Sequence, residues 1–166
     1  TATRAVLALA AVAITAFGAS GDVRPARAQQ RALELESLAR SSAVVVEGVV
    51  ERTTAFPTGP DGLPGIHTRV EVRVLRTLKG QRAEQLVVWV HGGQLGDQRR
   101  VVVGQAEFRS GEHVVLFAYE TGHGLFPTGM GRGKWLVGSD GIARGRRETM
   151  GLAQLAVAVR TTGGTR

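Results

Sequence analysis

The hydrophobic period along the chain changes twice, and each change marks a change of structure. Residues 31–42, RALELESLARSS, put Leu35, Leu38 and Ala39 on one face of a short helix, with Glu36 one turn before Arg40. Apolar residues then alternate. In SAVVVEGVVERTTAF (42–56), Val44, Val46, Gly48 and Val50 share one face and Glu47 and Glu51 the other. In HTRVEVRVLRTLKG (67–80), Val70, Val72 and Val74 oppose Arg69, Glu71 and Arg73, the pattern of a strand with one wet face. The intervening PTGPDGLPG (57–65) is turn chemistry and joins two long antiparallel strands.

Four further strands are read in EQLVVWVH (84–91), RRVVVGQ (99–105), EHVVLFAY (112–119) and GKWLVGS (133–139), separated by glycine-bearing turns. Helical spacing returns near the end, where Leu152, Leu155, Ala156 and Val159 form a stripe over about 148–160. Strands this closely spaced, with no helix between them, predict a mainly β fold: five or six antiparallel strands curled into a barrel, with a short helix at each end. Gly48, inside a strand, is a candidate bulge.

The first 28 residues have a different character. Arg4 precedes the apolar stretch Ala5 to Ser20, and the ARA of Ala26–Ala28 precedes Gln29, which together read as an export signal cleaved after Ala28, the alternative being a retained anchor or a buried helix. The apolar stretch is shorter than the ~20 residues of a membrane span, so no stable insertion is expected after cleavage. The organisation is then a signal peptide at 1–28, an N-terminal helix at 29–42, a barrel at 43–140 and a basic tail with an amphipathic helix at 141–166. The expected location is the periplasm or the cell exterior.

Composition narrows the chemistry. There is no cysteine, which removes disulfides, thiolate metal sites and a cysteine nucleophile together. Asparagine is absent and only Lys79 and Lys134 are lysines, the bias of a GC-rich coding sequence. Without residues 1–28 the full chain's +7 loses Arg4, Arg24, Arg27 and Asp22 and becomes +5, of which five arginines and one glutamate after Asp140 supply +4. The body is nearly neutral, which argues against a nucleic-acid face.

Three motifs invite chemistry. WVHGGQLGD (89–97) could be an esterase oxyanion loop, but the G-x-S-x-G elbow such enzymes need is missing. A tight hairpin explains Gly92, Gly93 and Gly96 and leaves His91 a surface role. GMGRGKW (129–135) departs from the phosphate-loop pattern at Thr128 and Trp135, so it reads as a loop entering a strand. His67, His91, His113 and His123 lack ligand spacing, and Glu112 and Glu120 read as strand-flanking charges. Neither catalytic residues, nor a metal, nor a cofactor is expected. With Val88 and Val90 turned inward, Trp89 and Val87 form an outward apolar strip, expected either to lie beneath a terminal helix or to serve as an interaction surface; Arg132 and Lys134 are further candidates for such a surface.

The order LARSSAVVVEGVV, IHTRVEVRVLRTLKG, VVWVHGG, FRSGEHVVLF resembles a group of uncharacterised exported bacterial β-barrel proteins. It is also loosely similar to netrin-like and metalloproteinase-inhibitor barrels, which implies an OB-like fold over roughly Glu36 to Val137. Those inhibitors use a cysteine-bearing N-terminus, which this chain lacks, so the resemblance implies the barrel and not the inhibition. The expected function is a non-enzymatic binding module whose partner is an exported protein or envelope component. The alternative is an envelope hydrolase with a site assembled from scattered polar residues.

Overall fold

The two long strands, β1 (Val44–Thr58) and β2 (Pro64–Lys79), pair antiparallel along almost their whole length. They belong to a computed structural model that describes residues 23–60 and 62–163. Around them stand α1 (Val23–Arg40), β3 (Gln85–His91), β4 (Gly93–Leu95), β5 (Gln98–Arg100), β6 (His113–Thr121), β7 (Gly124–Pro127), a 3-10 turn (Met130–Gly133), β8 (Lys134–Val137), β9 (Ile142–Arg144), β10 (Thr149–Gly151) and α2 (Leu152–Gly163). The fold is mainly β, with one mixed sheet of eight strands in the order β1-β2-β3-β7-β6-β8-β9-β10, a separate β4–β5 hairpin and two helices.

β1 is paired on both edges, with β2 on one side and β6 on the other, so the sheet bends back towards itself. β3 meets β7 at a single parallel pair, Val88 with Leu125, which is a bridge and not a ladder. The bend has a local cause at Gly48. The β1–β2 register shifts between Glu47 and Gly48, and a Cβ at Gly48 would lie 2.5 Å from the Arg73 carbonyl oxygen. Only glycine lets the backbones come this close, as a bulge in a bent strand requires.

Alternation along the strands divides the apolar residues between two cores. Val44, Val46, Val50, Val70, Val72, Val88, Val114 and Leu116 fill the inner face. Val45, Val115, Phe117, Trp135 and Val137 face the other way and are covered by Leu35, Leu38 and Ala39 of α1 and Leu155, Ala156 and Val159 of α2. The start of β1 is therefore buried on both faces, and Glu47, placed by its pattern on the wet face, is buried too. Each fully covered leucine or valine contributes on the order of 1.5–3 kcal/mol through lost contact with water. Both helices dock, but over the Val45–Phe117–Trp135 strip and not over Trp89.

Lys79 and Ser42 secure the C-terminal end of α1. Lys79 Nζ donates to the carbonyls of Ala39 and Ser42, both at 2.7 Å, where the helix leaves its last carbonyls unpaired and its dipole is negative. The Ser42 hydroxyl donates to the Leu38 carbonyl and also meets the Thr128 hydroxyl at 2.8 Å, tying the helix to the end of β7.

The strand expected over 99–105 is a correction. Only Gln98–Arg100 is a strand, and Val101–Gln105 leaves the sheet. Pairing stops at Gly93 with Arg100 because Gly92, with φ of 95°, turns the opposite backbone away. The sheet also extends beyond Asp140. β9 and β10 lie inside the segment read as a basic tail, and β9 pairs with β8 through Leu136–Arg144 and Val137–Ala143. With β4, β5 and β7 they raise the strand count among the described residues to ten, each of these pieces being too short for its alternation to stand out.

Candidate partner-binding site

The HGG run resolves into a β3–β4 turn. Gly92 N–H donates to the Ile66 carbonyl at 2.8 Å, and the Thr68 hydroxyl donates to the Gly92 carbonyl at 2.8 Å. A Cβ at Gly93, where φ is 136°, would lie 2.2 Å from Thr68 Oγ1, so glycine is required there by space as well as by conformation. The amide an oxyanion loop would offer at Gly92 is already engaged within the fold. The same holds in the glycine loop before β8. Gly131 N–H donates to the Gly104 carbonyl at 2.8 Å and Arg132 N–H to the Gly129 carbonyl at 3.2 Å, so these amides do not converge on an anion.

The histidines are structural to different degrees. His67 is buried, with Nδ1 2.6 Å from the Gly65 carbonyl oxygen, and its ring centroid lies 5.0 Å from that of His91, its cross-strand neighbour. His91 stacks on Phe126 at 5.5 Å, and Phe126 lies 6.0 Å from Tyr119. A row of rings therefore runs from β2 through β3 and β7 to β6, and it crosses the seam where the backbones meet only once. His91 is an interior link in that row, not the surface residue its position in the turn suggested. His113 Nε2 lies 3.1 Å from Glu47, which also accepts two bonds from Arg76 at 3.0 and 2.6 Å. Among the described residues no three His, Asp or Glu side chains gather as metal ligands.

The four candidate surface residues do not form one patch. Val87 and Trp89 project from the outer face of β3, where Trp89 packs on Phe56 with ring centroids 5.5 Å apart. Lys134 stands on β8, with β7 and β6 between it and β3 in the sheet, largely buried, where its ammonium meets Glu112 and lies 4.8 Å above the Phe108 ring. Arg132 is exposed on the 3-10 turn. Glu112 is thus an ion-pair partner of Lys134, and Glu120 lies at the far end of β6. Ala26, Ala28 and Gln29 fall within α1, and the rest of the expected export segment, residues 1–22, lies outside the described residues.

An open cleft lies against a segment read in the sequence as a plain strand. Beyond the inner-face ends of β1, β2 and β3, the segment from Arg99 to Phe108 walls a cleft of about 440 Å3, with Ala55, Thr68 and Val90 on the other side. All three residues of β5 are exposed, and among the described residues β5 pairs only with β4. The chain that continues from it carries Val101 and Val103 at 66% and 89% exposure, more than any other large apolar residue described. The run RRVVV carried no signal of this, since the three valines of Val44–Val46 are buried throughout.

No family model matches this chain, and no curated protein matches it.

Proposed function

We propose that the protein is an exported, non-enzymatic binding module that holds an extended segment of a partner protein along β5 and the following valines. The observation that carries this reading is the coincidence of a sheet edge with no neighbouring strand among the described residues, two consecutive arginines and two highly exposed β-branched residues on one short segment. Such an edge offers backbone donors and acceptors to an added strand, and alternate side chains supply selectivity. Arg99 and Arg100 favour a partner with acidic residues flanking an apolar one, despite Asp97 and Glu107 nearby. The partner is an exported protein or envelope component, since the N-terminal pattern directs the chain out of the cytoplasm.

The scaffold for this module is an OB-like barrel of β1, β2, β3, β7 and β6, similar to the netrin-like and metalloproteinase-inhibitor barrels. The double pairing of β1 and the Val88–Leu125 bridge support that reading. Its test is in-cell crosslinking of the parent against a variant carrying Arg99→Glu, Arg100→Glu and Val101→Asp, with melting temperature as a control. A crosslinked protein present with the parent and lost with an equally stable variant supports the site. An unchanged crosslinking pattern overturns it.

A further inference from the structure

The cleft beside β5 is lined at its base by short side chains. Ala55, Thr68 and Val90 stand in one cross-strand row, with Thr68 opposite both of the others. The Thr68 hydroxyl donates to the Gly92 carbonyl, which leaves this row mostly apolar. One row further in, Val70 and Val88 are opposite each other and fully buried in the inner core. The segment on the other side supplies Val102, Ala106 and the Phe108 ring, and β3 supplies the His91 ring. The space between, about 440 Å3, falls within the ~300–1,000 Å3 of pockets that hold an organic group.

We propose that this cleft is the anchor pocket for one aromatic side chain of the partner's segment, with an acidic residue within two places of that aromatic. The proposal rests on the β5 reading above and adds what the bound segment must contain. Val102 is half-buried and lines the cleft, while Val101 and Val103 on either side of it are exposed. A strand laid along this segment alternates in the same way, so every second side chain of it is turned towards the cleft. A ring suits the space better than a branched aliphatic group. The short base leaves depth for it, and the Phe108 and His91 rings offer offset or edge-to-face contacts from two different elements.

Charge selects the neighbour of the ring. The cleft carries Arg99 and Arg100 against Glu107, a surplus of one positive charge. Arg100 lies across the start of β2, where its Nη1 donates to the Pro64 carbonyl at 3.4 Å. Gly65 makes room for it, since a Cβ there would lie 1.8 Å from that nitrogen. The guanidinium is thus positioned in advance by one long contact, and most of its donors remain for a carboxylate. Arg99 and Arg100 leave β5 on opposite faces, so a carboxylate one or two places from the ring meets one or the other.

A displayed library of random decapeptides, selected on the full chain, tests the proposal. Sequences with a phenylalanine, tyrosine or tryptophan and an acidic residue within two places of it should be enriched. In the most enriched peptide, exchanging the aromatic for alanine should weaken binding about tenfold or more, the effect of emptying an anchor pocket. Ala55→Trp obstructs the cleft from β1 and leaves β5 untouched, so it should remove the advantage of the aromatic peptide over its alanine counterpart. Its melting temperature shows whether it folds, and a second measurement needs no variant: nuclear Overhauser contacts should join the peptide's ring to the methyl groups of Ala55 and Val90. Absence of aromatic enrichment, absence of those contacts, or an aromatic advantage that survives in folded Ala55→Trp overturns the proposal. The variant with Arg99→Glu, Arg100→Glu and Val101→Asp separates it from the β5 reading. If that variant loses the selected peptide while the parent binds the aromatic and alanine peptides equally, the cleft proposal alone falls. If that variant holds the aromatic peptide as tightly as the parent does, the β5 reading falls, and the acidic requirement with it.

Discussion

Lys79, the last residue of β2, reaches beneath α1 and donates to the Ala39 carbonyl at 2.7 Å. One of only two lysines in the chain thus caps a helix made forty residues earlier. Replacing it with methionine keeps the aliphatic stem and removes the donor. The dipole contact and the carbonyl bonds together predict a loss of about 1–2 kcal/mol, read as a lower midpoint in urea. An unchanged midpoint would mean that water caps the helix equally well.

Gly93 and His91 stand two residues apart and should respond differently. Gly93→Val places a branched side chain at positive φ against Thr68 Oγ1, and should prevent the β4–β5 hairpin from forming. His91→Ala removes one ring from the row between His67 and Phe126 and should cost about 1 kcal/mol, in keeping with a single lost ring contact. Thermal melts separate the two, and a silent His91→Ala would show that the row adds nothing to the seam.

The C-terminal segment should divide into buried and solvated parts. Leu155 is fully buried against the outer core, so Leu155→Ala is expected to cost about 2–5 kcal/mol. Arg147 is exposed, and Arg147→Ala should leave the melting temperature nearly unchanged. The reverse ranking would overturn the docking of α2.

Asp140 offers a titration that can be read directly. The Arg144 guanidinium bonded to its carboxylate, helped by the Ile142 amide, lowers it from 3.8 to about 2. A lowered carboxyl contributes stability that is complete above its ordinary value and is lost as pH falls through the lowered one. The NMR shift of the Asp140 carboxyl should therefore have its midpoint near 2, and Arg144→Ala should return it towards 3.8. A midpoint already near 3.8 in the parent would mean that this exposed pair does not persist in solution.

Export predicts a specific end to the mature chain. Mass spectrometry of the secreted form should find Gln29 first, with or without cyclisation, after cleavage behind Ala28. Recovery of an uncleaved chain in the membrane fraction would overturn this.

What could be read from the sequence followed the length of each pattern. β1 and β2 are long, so patterns of fifteen and fourteen residues located both and assigned Val70 and Val72 to the core. β9 and β10 have three residues each, too few for a period to emerge from Ile142 or Met150. The helices were legible as stripes, but the strip they cover was not, because Val45 looks no different from Val87 until the strand order is known. At the candidate site the same limitation applied in reverse. The Val101–Val103 run has ample β propensity, and only the turn at Gly92 takes away the strand it would have paired with.

The double pairing of β1 also orders events in time. A chain that emerges from its N-terminus can zip β1 to β2 as soon as residue 79 is made, but the other edge of β1 waits for β6, more than thirty residues later. During that interval Val44 to Val49 present a bare ladder edge of high β propensity, open to the wrong neighbour. Completion of β6 converts that edge into the interior of the sheet. Slowing synthesis between β2 and β6 would prolong the vulnerable interval and favour misassembly, while leaving the finished molecule unchanged.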